Sequence, residues 1–324
     1  MVRLLEHKWI AFLKLVRIEN LVIIALTQIL LRYFVLEKVL GNHHLQLTLD
    51  DLLFYLMVAS TVLIAAAGYI INDYFDVKTD MINHPDTVVV GRVIKRRWAI
   101  ILHVSLTTLG VLLGIYVALK TGYLRLAIFH IAAATLLWFY STHFKKQLLT
   151  GNLVVALLTA SVTFMPFIFE MGIMQRMQPY FNEIHLRTIL SCMKTTLFFA
   201  LFAFLTTLAR EIIKDLEDYK GDEATGGRTM PIVWGVHAAR IFSAFIILIT
   251  IILLCVAIYN QWRFYHHALI FSNLYIFFAL IIPLLFLELI LIRAGESRHY
   301  RRASILLKFI MLFGISYSFV FYYS

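Results

Sequence analysis

Gly68-Tyr69-Ile70-Ile71-Asn72-Asp73-Tyr74-Phe75-Asp76-Val77-Lys78-Thr79-Asp80 is the stretch in which a long apolar run ends abruptly in carboxylates. The residues from Leu52 to Ile71 are numerous and apolar enough to cross a bilayer as a helix, so the acidic set emerges at a membrane surface. If the helix continues, Asn72, Asp76 and Asp80 share one face at i, i+4 and i+8, and Asp73 lies one turn before Asp76. Such a face repels itself, and the dipole at a helix C-terminus adds to the repulsion. A bound cation would reverse the sign of both effects.

The spacing recurs late in the chain. In Ile212-Ile213-Lys214-Asp215-Leu216-Glu217-Asp218-Tyr219-Lys220-Gly221-Asp222, the residues Asp215, Asp218 and Asp222 match Asp73, Asp76 and Asp80, and Lys220 matches Lys78. Each stretch is followed by a Gly-Arg pair, Gly91-Arg92 and Gly227-Arg228. The repetition predicts two half-sites facing each other across one cavity. The plainer alternative is a solvated helix end whose acids are neutralised by nearby lysines.

Composition agrees with a membrane setting. The chain is 61% hydrophobic and 15% charged, whereas soluble domains are about half apolar and a quarter charged. Further spans read at roughly 21–36, 98–118, 123–140, 152–170, 191–212, 232–259, 267–292 and 303–322, which with 52–71 predicts an all-α polytopic membrane bundle of about nine transmembrane helices around a central cavity. No linker divides the chain, so residues 1–324 read as one domain. The net charge of +10 requires no nucleic acid, because the basic residues fall in alternate loops. That bias places the N-terminus and both acidic motifs on the cytoplasmic side, as expected of a protein in a cell's inner membrane. Two connections are long, Asp73 to Arg97 and Arg210 to Pro231; both follow acidic helices and read as caps over the cavity mouth. Cys192 and Cys255 stand singly in apolar helices, and the adjacent pairs His43-His44 and His266-His267 have no metal-ligand spacing.

Oxygen-donor clusters favour hard cations, and a few carboxylates with room for phosphate oxygens is a magnesium arrangement. Lys78, Arg92, Lys145, Lys146, Arg210, Lys214 and Arg228 fall on the same side of the membrane and would hold phosphate oxygens beyond the metal's reach. A diphosphate head with an apolar tail places each end in its preferred solvent at this boundary, and a polyprenyl diphosphate has that form.

Asn72-Asp73-Tyr74-Phe75-Asp76-Val77-Lys78-Thr79-Asp80 resembles the NDxxDxxxD motif of the UbiA superfamily of intramembrane prenyltransferases, and Asp218-Tyr219-Lys220-Gly221-Asp222 resembles its second motif, DxxxD. Arg17-Ile18-Glu19-Asn20 is similar to the family's first-helix signature ending in Asn, and Tyr140-Ser141-Thr142-His143-Phe144-Lys145 to its tyrosine-to-lysine segment. The resemblance covers nearly the whole chain. It implies two magnesium ions bridging the aspartate motifs to a prenyl diphosphate, with Asn72, Asp73, Asp76, Asp80, Asp215, Asp218 and Asp222 as ligands. It also implies that Asn20 contacts substrate and that Tyr140 and Lys145 act at the reacting centre. Arg210 to Asp222, with Gly151-Asn152-Leu153-Val154-Val155, is most similar to the digeranylgeranylglyceryl phosphate synthase branch, which alkylates a glycerol phosphate ether lipid. The chain departs from the common continuation of the first motif, Ile-Asn-x-Pro-x-Arg-Pro, because Ile82-Asn83-His84-Pro85-Asp86-Thr87-Val88 lacks the Arg and the second Pro.

Ionisation of the donor would give an allylic cation, and Tyr69, Phe139 and Tyr140 are candidates to stabilise it with a ring face. An aromatic acceptor such as hydroxybenzoate or dihydroxynaphthoate stays open beside the glycerol lipid. A transporter whose carboxylates bind coupling ions is the rival from another class, and it predicts acids near the bilayer midplane.

Overall fold

The computed structural model describes residues 2–177, 183–265 and 269–324. His266 and His267 lie outside the described residues. Among those described, nine helices are long and apolar enough to cross a membrane, and an isolated bridge between Val90 and Ile94 is the only β pairing. An amphipathic helix α1 (Val2–Leu15) leads into α2 (Ile18–Gly41), α3 (Asp51–Asn83), α4 (Arg96–Lys120), α5 (Leu124–Phe144), α6 (Thr150–Met177) and α7 (Glu183–Glu217). A short helix α8 (Tyr219–Ala224) precedes α9 (Val236–Tyr265), α10 (Ile270–Ile292) and α11 (Ser297–Tyr323).

The two acidic helices outrun their apolar segments. Helix α3 starts under an N-cap in which the Asp50 carboxylate accepts from the Leu53 N–H at 3.2 Å, and it continues through the whole acidic stretch to Asn83. Pro85 then prevents continuation, because the residue before a proline is pushed out of the helical region. Helix α7 likewise runs to Glu217. The connections expected from Asp73 and from Arg210 are therefore shortened to 84–95 and 218–235; the first borders the cavity through His84 and residues 86–90, whereas the second reaches it only through Asp218. Helix α6 extends to Met177 and α7 begins at Glu183, so the described part of the connection between them is also helical.

Helix α3 packs chiefly on α4, and α7 on α6, α9 and α11. Ile212 and Ile213 of α7 are fully buried in a core with Ile247, Leu284, Leu287 and Leu307, while Ile70 of α3 anchors a second core with Leu15, Val16, Leu21 and Ala99. In lipid these contacts act through van der Waals fit and hydrogen bonds rather than transfer from water. Ser60 of α3, for instance, donates to the Gly110 carbonyl of α4 at 2.6 Å. Large apolar side chains such as Leu112, Phe278, Ile292 and Phe309 face outward, as a lipid-facing surface requires. This is a multi-pass integral membrane protein.

Candidate active site

The helices enclose a cavity of about 1240 Å³, polar at the end where the two motifs meet and apolar along most of its wall. Asn72, Asp73, Asp76 and Asp80 line it from α3, Arg210 and Lys214 from α7, and Asp218 follows at the α7–α8 junction. Asn20 of α2, with Tyr140 and Lys145 at the end of α5, completes that rim. The continuation of α3 to Asn83 puts Asn72, Asp76 and Asp80 on one face, as the spacing predicts.

Four of the carboxylates, Asp73, Asp76, Asp215 and Asp218, are met by a donor from another part of the chain. The Lys145 ammonium is in direct contact with the buried Asp76 carboxylate. Arg17 pairs with Asp73 at 2.9 Å and lies 5.1 Å from the Tyr69 ring centroid. His84 Nε2 lies 2.9 Å from Asp218 Oδ1, and the Asn152 amide donates to Asp215 at 2.8 Å. Arg17 holds a left-handed backbone at φ 52°, uncommon for a side-chain-bearing residue, where α1 breaks into α2 and its guanidinium reaches the first motif.

Lys145 is set by a local irregularity. Residues Tyr140 to Phe144 form a π-helical turn in which the Lys145 N–H reaches back to the Tyr140 carbonyl at 2.9 Å, and such turns recur at functional sites. Gly151 makes room for this turn: a Cβ there would lie 2.9 Å from Lys145 Cα. Burial works to discharge the Lys145 ammonium, but Asp76, Tyr140 and Asp80 together outweigh it and raise its affinity for the proton.

The two half-sites are tied to each other by residues that are not among the acids of either motif. Asn83 donates to the Asp218 carbonyl at 3.0 Å and accepts from the Gly221 N–H at 2.9 Å, so one amide side chain reads the backbone of the second motif. Thr79 and Thr225 share a hydroxyl contact of 3.1 Å beside it. Burial pushes the Asp222 carboxyl up to about 6; Lys145 opposes this, while Asp218 and Asp76 add to it. The α3 and α8 acids thus sense one another across the gap.

Several expected residues are not on the cavity wall. Lys78 and Lys220 are exposed; in α3, the face that turns Asn72, Asp76 and Asp80 inward turns the intervening Lys78 out. Arg92 is exposed, and its guanidinium caps the Pro85 carbonyl. Lys146 and Arg228 are exposed neighbours joined through backbone, Arg228 N–H to Lys146 carbonyl at 2.9 Å. Asp215 and Asp222 sit behind the wall rather than on it, Asp215 held there by Asn152. The unforeseen members are Arg17, Asn83, His84 and Asn152. All four lie in stretches already singled out, yet their roles depend on contacts with distant helices.

Among the described residues, no three Asp, Glu, His or Cys side chains are gathered into a ready metal-binding group. Mutual repulsion explains this, since Asp73, Asp76, Asp215 and Asp218 have each taken a side-chain partner instead. The donor chemistry nevertheless fits a hard cation. The site offers carboxylate oxygens from both motifs, and Asn72 Oδ1 is buried at the same rim without a hydrogen-bond partner.

The chain belongs to the UbiA prenyltransferase family, whose model matches residues 43–318. Its relatives include the digeranylgeranylglyceryl phosphate synthase of Methanothermobacter thermautotrophicus, 32% identical over 198 residues that cover 60% of this chain and 62% of that protein. The match thus spans less than two thirds of that relative's length. Among solved structures, one concerned with digeranylgeranylglyceryl phosphate synthase in membranes superposes with a TM-score of 0.61 at 21% identity, over 97% of this chain and 99% of that one. A UbiA homologue from Archaeoglobus fulgidus bound to DMAPP and Mg2+ superposes with a TM-score of 0.52 at 15% identity, over 94% of this chain and 98% of that one. Both establish the fold.

Proposed function

We propose that residues 1–324 form a single-domain, magnesium-dependent intramembrane prenyltransferase that moves a polyprenyl group from its diphosphate to geranylgeranylglyceryl phosphate. The observation that carries this reading is the contact of Lys145 with Asp76, opposite a second acidic motif tied down by Asn83, at the polar end of a large apolar cavity. The name of the Methanothermobacter relative and the DMAPP and Mg2+ bound to the Archaeoglobus homologue support it.

Asn72, Asp73, Asp76 and Asp80 on one side, and Asp215, Asp218 and Asp222 on the other, would hold the magnesium, which when bound supplies positive charge against the leaving diphosphate. Lys145, already charged and aimed into the site, turns from Asp76 to the diphosphate oxygens as they gain charge. Arg210 and Lys214, held by Glu211 at 3.2 and 3.3 Å, present further donors from α7. Tyr69 and Tyr140 line the wall beside them and offer ring faces to the allylic cation. The bond from the prenyl C1 to the diphosphate oxygen breaks, the acceptor hydroxyl oxygen forms the new bond to C1, and its proton is released. The apolar wall keeps water from capturing the cation first.

The charge bias of the loops supports a cytoplasmic N-terminus and a cytoplasmic rim at the inner membrane. The acids lie at a helix end with basic partners, which favours transfer over ion-coupled transport. Purified protein in lipid, given prenyl diphosphates of several lengths with labelled acceptors, tests the reading. Prenylated glycerol phosphate ether should form only with magnesium. Transfer to hydroxybenzoate or dihydroxynaphthoate would reassign the acceptor, and no transfer to any acceptor would overturn the activity.

A further inference from the structure

The cavity wall carries more positive charge than the acidic motifs engage. Arg17 and Lys145 are committed to motif carboxylates, and Arg210 and Lys214 to Glu211. Lys14 on α1, with Arg301 and Lys308 on α11, lines the same cavity outside those pairs. Arg301, Ser304 and Lys308 fall at i, i+3 and i+7, on one face of α11, and the cavity lining continues from them along Met311 and Ile315 deeper in the span. The face therefore grades from cationic to apolar.

Lys308 also bridges two helices that are far apart in sequence. Its ammonium lies 2.7 Å from the Glu19 carboxylate at the start of α2. Glu19 is 81% exposed, so water competes for this pair and it is readily exchanged. Glu19 opens α2, so the Lys308 contact lies at the seam between α2 and α11, on the cavity that the first acidic motif also lines.

We infer that Arg301 and Lys308, with Lys14 on the adjoining wall, bind the phosphate headgroup of a lipid acceptor, and that Glu19 is the counter-ion this headgroup displaces. The inference rests on the prenyl-transfer reading above and names where its acceptor sits. A phosphate monoester carries more charge than one carboxylate and more acceptor oxygens, so it replaces Glu19 on Lys308 and engages Arg301 as well. Met311 and Ile315 then receive the acceptor's own apolar chain. The cavity volume of about 1240 Å³ exceeds the roughly 300–1,000 Å³ typical of a pocket for one small ligand, which suits two amphiphiles side by side. Two separate cation sets also keep the acceptor phosphate from competing for the donor's diphosphate site at Lys145. A hydroxybenzoate or dihydroxynaphthoate would use a cation for its carboxylate but has no chain to fill the apolar face that extends from it.

The test is equilibrium binding of labelled geranylgeranylglyceryl phosphate, and of the same lipid without its phosphate, to the full chain in nanodiscs lacking prenyl diphosphate. Wild type should bind the phosphorylated lipid at least tenfold more tightly. Lys308→Ala should remove most of that preference, Lys308→Arg should keep it, and Glu19→Gln should keep or strengthen it. In turnover, Lys308→Ala should raise the acceptor KM about tenfold while the prenyl diphosphate KM and the kcat at saturating acceptor hold. Equal binding of the two lipids by wild type, or an undiminished preference in a folded Lys308→Ala protein, overturns the inference. Because binding is read without the donor, a wild type that binds the phosphorylated lipid selectively but never prenylates it would sink the prenyl-transfer reading alone.

Discussion

Asn83 and Gly221 are fitted to each other across the two halves of the site: the Asn83 Oδ1 accepts the Gly221 N–H at 2.9 Å, and a Cβ on Gly221 would overlap the Asn83 amide. The same amide donates to the Asp218 carbonyl at 3.0 Å. The spacing of the acidic motifs is thus set by a residue that belongs to neither. Asn83→Ala removes both bonds, each worth about 1 kcal/mol, and should lower kcat at least tenfold while the protein stays inserted and folded. Gly221→Ala should do the same by steric displacement. Turnover and thermal unfolding of each variant check this, and full activity in both would show that the two motifs need no such tie.

Asp76→Ala and Asp218→Ala should each abolish turnover while the protein stays inserted; Asp76→Ala, which leaves the Lys145 ammonium without its partner, should also lower the unfolding temperature. A magnesium titration of prenyl transfer reads the effect. Near-normal transfer by either variant would break the two-half-site account.

Lys145→Ala should slow the chemical step by roughly tenfold to a thousandfold, the order expected when one electrostatic donor is removed. Acceptor affinity should change little. Lys146→Ala should leave the rate within about threefold, since its side chain is exposed while Lys145 contacts Asp76. Single-turnover rates at saturating prenyl diphosphate separate the two lysines.

Lys78→Ala and Lys220→Ala should likewise change kcat/KM by less than about threefold, despite standing inside the acidic stretches, because both side chains are exposed and off the cavity wall. Steady-state kinetics with varied prenyl diphosphate is the measurement. A tenfold loss in either would place these lysines on the substrate after all.

Topology is open to direct chemistry. In a protein whose exposed Cys255 is replaced by Ser while the buried Cys192 is kept, cysteines at Thr87 and Asn42 occupy exposed positions beyond opposite ends of α3. Thr87→Cys should react with a membrane-impermeant thiol reagent only when the cytoplasmic side is opened, and Asn42→Cys from outside. The reverse pattern would invert the orientation.

By itself the sequence determined the number of spanning helices, the all-α class and the two acidic stretches, because hydrocarbon thickness and backbone hydrogen bonding leave an apolar run of this length little choice but a helix. Helical periodicity also put Asn72, Asp76 and Asp80 on one face. It left the direction of that face relative to the other helices undetermined, so Lys78 and Arg92, near the acids in sequence, could not be told from Lys145, near them in space. Only the tertiary structure decided that Arg17 reaches Asp73, that Asn83 holds the second motif, that Asn152 draws Asp215 behind the wall, and that Lys308 meets Glu19 across 289 positions of chain. Each of these is a contact between helices whose relative rotation is set by side-chain fit and interhelical hydrogen bonds, and a local pattern carries no information about that rotation.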